Sequence, residues 1–135
     1  MGSAASTGRC EVAVVCTGPL FDGRARAAVT AFCNDVPYTV AHVSLVQVQT
    51  NLNESIQYPT PYYETQIWLH PQSGGYQVDD RGVIYGHWLE GDSKRNRKTR
   101  FKGYWSFRRA LYYVHLHMER IIERDVRAMM ARLNA

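Results

Sequence analysis

Six lysines and arginines fall between Lys94 and Lys102 with no acid among them: Lys94, Arg95, Arg97, Lys98, Arg100 and Lys102. Rings surround them, with Trp88 before, Phe101 within and Tyr104 and Trp105 after, and Asn96 and Thr99 sit among the cations. Two chemistries suit that mixture. Cations neutralise phosphates while rings stack on bases, and arginine beside tryptophan or tyrosine is also what protein hot spots are made of. A solvated loop without a partner is the plain alternative. The interleaving of ring and charge between Gly91 and Gly103 favours a protein interface first and phosphate contact second. The candidate contact residues are Trp88, Glu90, Arg95, Asn96, Arg97, Lys98, Thr99, Arg100, Phe101, Lys102, Tyr104, Trp105 and Arg108. Glu90, at the loop's entrance, is the carboxylate placed to meet Arg95, Arg100 or Arg108, so an arginine–carboxylate pair at the base of the loop is expected, within or between subunits.

Patterns for catalysis are thin. Asp80 with Asp92-Ser93-Lys94 superficially matches the two-carboxylate-and-lysine site of metal nucleases. Such short patterns arise by chance, and Lys94 opens a run in which lysine is expected anyway. His115 and His117 are two apart on a helical stretch and point to different faces, unlike the i, i+4 pair of a zinc helix. No nucleophile elbow, metalloprotease, P-loop or dinucleotide pattern occurs. The reading is therefore of a protein that is not an enzyme and uses no cofactor or metal. Cys10, Cys16 and Cys33 are odd in number and form no CxxC pair, which argues against a disulfide scaffold and a thiolate zinc site.

The formal charge of +4 divides into +6 from the short basic run and −2 from everything else. A field that local acts on an adjoining polyanion or acidic protein surface. A chain of 135 residues fits one domain with a core of its own. Residues 1–9 read as a flexible arm and 90–103 as a protruding basic loop. The apolar run Val12 to Cys16 is too short to span a bilayer, and no membrane association is expected.

The elements that position the basic run are an α+β set. Glu11 to Thr17 predicts a strand closed by Gly18-Pro19. Phe21 and Asp22 then offer a hydrophobic residue and an N-cap acceptor for a long helix, with Val29, Phe32, Val36, Val40 and Val43 at helical steps and Val46, Leu52 and Ile56 continuing less regularly. Pro37 predicts a kink or break near Asp35. Tyr58-Pro59-Thr60-Pro61 is a helix stop. An antiparallel meander is expected from Tyr62 to His70, Tyr76 to Asp79 and Val83 to Leu89, with turns at Pro71 to Gly75 and Asp80 to Gly82. From Tyr104 or Ser106 to about Leu133 a last long helix carries Phe107, Leu111, Val114, Met118, Ile121, Ile122, Val126, Met129 and Leu133 on one stripe. Its length of roughly 40 Å exceeds the need of so small a domain, so its distal end is expected on another subunit.

The stretches Tyr85-Gly86-His87-Trp88-Leu89-Glu90-Gly91, Ser93, Arg95-Asn96, Thr99-Arg100-Phe101-Lys102-Gly103-Tyr104 and Phe107-Arg108-Arg109 resemble the small neck proteins of long-tailed phages and prophages of actinobacteria, of the tail-completion or head-to-tail joining type. His87, where relatives carry proline, and the strongly basic Lys94 to Lys102 run depart from that pattern. The resemblance implies a virion structural part, assembled in the host cytoplasm. It would be one subunit of a six- or twelve-fold homo-oligomeric ring joining the head connector to the tail tube. Portal-side neck proteins and the tail tube or terminator protein would be its partners, and packaged DNA would meet the basic loop if that loop faces the lumen. The alternative is a basic nucleic-acid-binding protein that uses Lys94 to Lys102.

Overall fold

The computed structural model describes residues 13–56 and 61–135. Ala13 to Thr17 carry no strand, so the expected first strand is not formed there, and Glu11 and Val12 lie outside the described residues. Helix α1 (Arg24–Ser55) follows a turn in which the N–H of Phe21 and of Asp22 meet the Gly18 carbonyl. Asp22 does the capping work expected of it from one residue further out, accepting the Arg24 N–H at 3.0 Å and pairing with the Arg24 Nε at 2.6 Å. That contact with a backbone donor and a guanidinium holds the exposed carboxyl below its ordinary range.

Helix α1 runs through Pro37 without a break. An internal proline removes one rung of the hydrogen-bond ladder and costs about 3 kcal/mol. The helix persists because both halves are packed: α6 (Met118–Asn134) lies along it, and α5 (Ser106–Leu116) and strand β2 (Gly75–Asp79) pack on it as well. The helix ends at Ser55, before the proline pair, of which Pro59 lies outside the described residues.

A short helix α2 (Pro61–Thr65) takes the first part of the expected strand, and β1 (Trp68–Gln72) the second. β1 pairs antiparallel with β2, from Trp68 against Asp79 to Gln72 against Gly75, around a Ser73-Gly74 turn. Among the described residues the sheet stops at two strands. The third strand expected over Val83 to Leu89 is instead a turn and the helix α3 (Gly86–Glu90). Asp80 decides this: its carboxylate accepts the Gly82 N–H at 3.0 Å and the Tyr63 hydroxyl at 3.2 Å, folding the chain back. Gly86 seats against that carboxylate where a side chain would have no room.

The last helix is two. α5 ends at Leu116, His117 takes a non-helical conformation with its ring 4.5 Å from that of Tyr113, and α6 follows. Together they run antiparallel to α1. Asn51 near one end of α1 bonds the Ser106 carbonyl at 2.9 Å, and Arg24 at the other end meets the carbonyl of Ala135. The distal stripe expected to need another subunit thus lies against α1 of the same chain. The core is Val48 and Leu52 of α1, Tyr63, Ile67 and Ala110, ringed by Leu45, Ile56, Val78, Val83, Leu89 and Phe107. The architecture is α+β: a long N-terminal helix, a two-stranded antiparallel sheet and a C-terminal helical segment.

Candidate interaction site

The basic run is folded. Ser93 caps a one-turn helix α4 (Lys94–Lys98), its hydroxyl accepting the Arg95 N–H while the Asn96 side chain accepts the Ser93 N–H at 3.1 Å. This reciprocal box satisfies two donors that the start of a helix leaves open. Asn96 is 3% exposed, and its amide nitrogen donates to the carbonyls of Trp88 at 3.0 Å and Phe101 at 3.1 Å. One buried side chain therefore ties α4 to α3 and to the strand of chain that returns from it. Thr99 bonds the carbonyls of Arg95 and Phe101, and the Lys102 ammonium donates to the Asn96 carbonyl at 2.9 Å.

Gly91 and Gly103, which bracket the basic run, bring its two ends together. They have φ of +103° and +96°, in the region that favours glycine, and the two backbones touch, so a side chain at Gly103 would overlap the Cα and N of Gly91. The Tyr104 N–H reaches the Leu89 carbonyl at 2.7 Å just beyond that crossing.

Glu90 takes a different partner from the one expected. Its carboxylate accepts the Ser106 hydroxyl and the N–H of Phe107, both at 3.1 Å, and the N–H of Arg108 at 3.0 Å. It caps the N-terminus of α5, where open backbone donors and the helix dipole both favour a negative charge. Among the described residues no arginine forms an ion pair with it.

The rings of the turn face one another. Phe101 packs against Trp88 at 4.6 Å and against Tyr104 at 4.9 Å, and all three are partly buried. Trp105 is the open one, 44% exposed, with the Arg108 guanidinium over it at 5.1 Å and its indole N–H on the Lys102 carbonyl. Arg95 lies 5.3 Å over Trp88. Lys94, Arg97, Lys98 and Arg100 are exposed, and none of them makes an ion pair or a side-chain hydrogen bond among the described residues.

The nearby acids are engaged. A cleft between the end of the hairpin, α3 and α5 is lined by Asp79, Asp80, Glu90 and Asp92. Asp79 meets His70 and the Arg81 N–H, Asp80 meets Tyr63 and Gly82, and Asp92 meets His87 at 3.1 Å. Among the described residues no three such groups converge to hold a metal ion, and Lys94 stands exposed on α4. Cys16 and Cys33 are free and exposed. No described helix is long and apolar enough to cross a membrane.

Three features escaped the sequence reading. The Ser93-x-x-Asn96 spacing was the visible sign of the capping box, with asparagine where glutamate or glutamine is usual. The latch in which Asn51 and Ser55 of α1 meet Ser106 and Arg109 of α5 had no local sign, since its two sides are more than fifty residues apart. Leu111, counted within the apolar stripe, is 72% exposed. No protein-family model, no curated protein and no solved structure matches this chain.

Proposed function

We propose that this chain is a structural subunit of a phage neck, of the tail-completion type, which assembles into a six- or twelve-fold ring between head connector and tail tube and has no catalytic role. The motif resemblance over Val83 to Arg109 motivates the reading, and one observation carries it: α5 leaves large apolar side chains in the open on two flanks. Leu111 is 72% exposed beside Ser44, Val48 and Val78, while Tyr112 and Leu116, 65% and 59% exposed, border Gln47 and Asn51. At 3.6 residues per turn Leu111 and Leu116 stand about 140° apart around the helix. A closed ring needs two different adhesive surfaces on each subunit, because each contact is heterologous. The two flanks of α5 provide that pair. Helix α1 adds a charge-free surface, with no Lys, Arg, Asp or Glu from Val36 to Asn53 and with Tyr38 and Val46 about half exposed.

The partners are further copies of the chain, the portal-side neck proteins and the tail tube or terminator protein, in the virion. Negative-stain images and solution mass test this, on the chain alone and with connector and tail-tube proteins. Rings are expected, and Leu111→Glu or Leu116→Glu each abolishes them. Mixing the two variants restores one good contact per pair and yields dimers that stop there. A chain that stays monomeric in every mixture refutes the reading.

A further inference from the structure

We infer that the outer face of α4, formed by Lys94, Arg97 and Lys98 and extended by Arg100, is a binding surface for the phosphate backbone of duplex nucleic acid, read without regard to base sequence. The inference stands apart from ring assembly: a chain that grips DNA and forms no ring keeps this and loses the neck.

Three observations carry it. Asn96 points inward from α4, and at 100° per residue Lys94, Arg97 and Lys98 fall within about 100° of one another on the opposite side. All are exposed, and among the described residues no acid pairs with any of them or with Arg100. The acids of the neighbouring cleft already have partners inside the chain. The charge on this face is therefore uncompensated.

Second, the arrangement opposes the stability of the free chain. Lys94 and Lys98 are like charges at i, i+4, which repel by a few tenths of a kcal/mol. Lys94 and Arg95 occupy the first positions of a helix, where the dipole disfavours cations. The Ser93–Asn96 box and the Gly91–Gly103 crossing hold the face together regardless. An outside anion would remove the repulsion without rearranging anything.

Third, three of the four rings are spent within the turn, and Trp105, the open one, lies under the Arg108 guanidinium. Trp88, Phe101 and Tyr104 pack on each other, so what α4 offers outward is cationic and hydrophilic, without the buried aromatic anchors that dominate protein hot spots. A helix face that carries cations and no ring of its own suits phosphates, which carry most of the affinity in sequence-independent binding. On this face phosphate contact is therefore placed ahead of protein contact.

The experiment uses the full chain and a fluorescent duplex of arbitrary sequence, titrated across salt. Four phosphate contacts give a slope of log K against log salt of about −3.6, or a roughly 100-fold loss between 50 and 200 mM. The variant Lys94→Ala/Arg97→Ala/Lys98→Ala/Arg100→Ala spares Arg95 and Lys102, which hold the turn, and is expected to keep its circular dichroism while losing nearly all of that slope. Arg120→Ala/Arg124→Ala on α6, a control for the loss of positive charge away from the turn, should bind within about twofold of the parent. Equal loss in that control, no binding of duplex at low salt, or a preference for polyglutamate over duplex, which would assign the face to an acidic protein surface, each overturns the inference.

Discussion

The two ends of α1 are covered in different ways. Around Val48 and Leu52 the helix is enclosed by α2, the hairpin and α5, and both side chains are at most 2% exposed. Toward Arg24 its companion is α6, and there Ala28 is buried while α6 has no buried residue at all. Yet α6 shows the plainest apolar stripe in the chain, with Arg120, Glu123, Arg124 and Arg127 opposite Ile121, Ile122, Val126 and Met129. The enclosed half of α1 shows hardly any stripe, because no charge marks its outer side. Periodicity reports how a helix divides apolar from charged residues. It does not report how many neighbours cover the apolar side.

The contrast predicts unequal responses to the same truncation. Leu52→Ala, at 0% exposure in the centre of the compact half, should cost about 2–5 kcal/mol in urea denaturation, since a cavity adds to the lost burial. A loss under 1 kcal/mol would mean that this half is not the stable one. Asn96→Ala comes next, at about 1–3 kcal/mol, because the Ser93 N–H and the Trp88 and Phe101 carbonyls lose their partner together. Its signature is local: trypsin should cut rapidly within Lys94 to Lys102 in the variant and slowly in the parent. Equal cleavage would show that Asn96 does not hold the turn.

That turn also marks the boundary of what the chain's residue order discloses. Both long helical segments and the hairpin could be read from local pattern: helical spacing of Phe107 to Leu133, turn chemistry at Ser73-Gly74, a stop before Pro59. Residues Val83 to Leu89 read as a strand because valine, isoleucine, tyrosine and tryptophan favour one. They fold as turn and helix because Asp80, outside the segment, accepts the N–H of Gly82 and of Val83 and is itself held by the Tyr63 hydroxyl. The contact residues were found as a group, and their division of labour was not. Glu90 as a cap for α5 and Asn96 as an inward anchor depend on where the chain crosses itself at Gly91 and Gly103, which spacing alone does not encode.

Tyr63 gives the compact half of α1 a dependence on alkaline pH. Burial, and then the charge of Asp80, raises its phenol above the ordinary 10.0. The folded state therefore keeps the proton where the unfolded chain releases it. Stability from this group is complete below about pH 10 and falls as pH rises from there through the folded value. Tyr63→Phe should cost about 1.5 kcal/mol at neutral pH through the lost bond to a carboxylate. It should also flatten the alkaline decline, read from denaturation midpoints at pH 9 to 11. An unchanged decline would place it on the other tyrosines.

The smallest effect belongs to α6 and bears on its cover. Ile122 on α6 is only partly buried, so Ile122→Ala removes less than a core isoleucine would contribute, roughly 1 kcal/mol. Measured on dilute protein, where the chain is alone, that value should hold. If α6 is covered by a second copy, the same substitution at high concentration should approach the loss at Leu52, because burial would then be complete and association would be linked to folding. A loss independent of concentration confines the adhesive surfaces to α5 and the charge-free face of α1, and leaves α6 and the Arg24 half of α1 a self-contained helix pair.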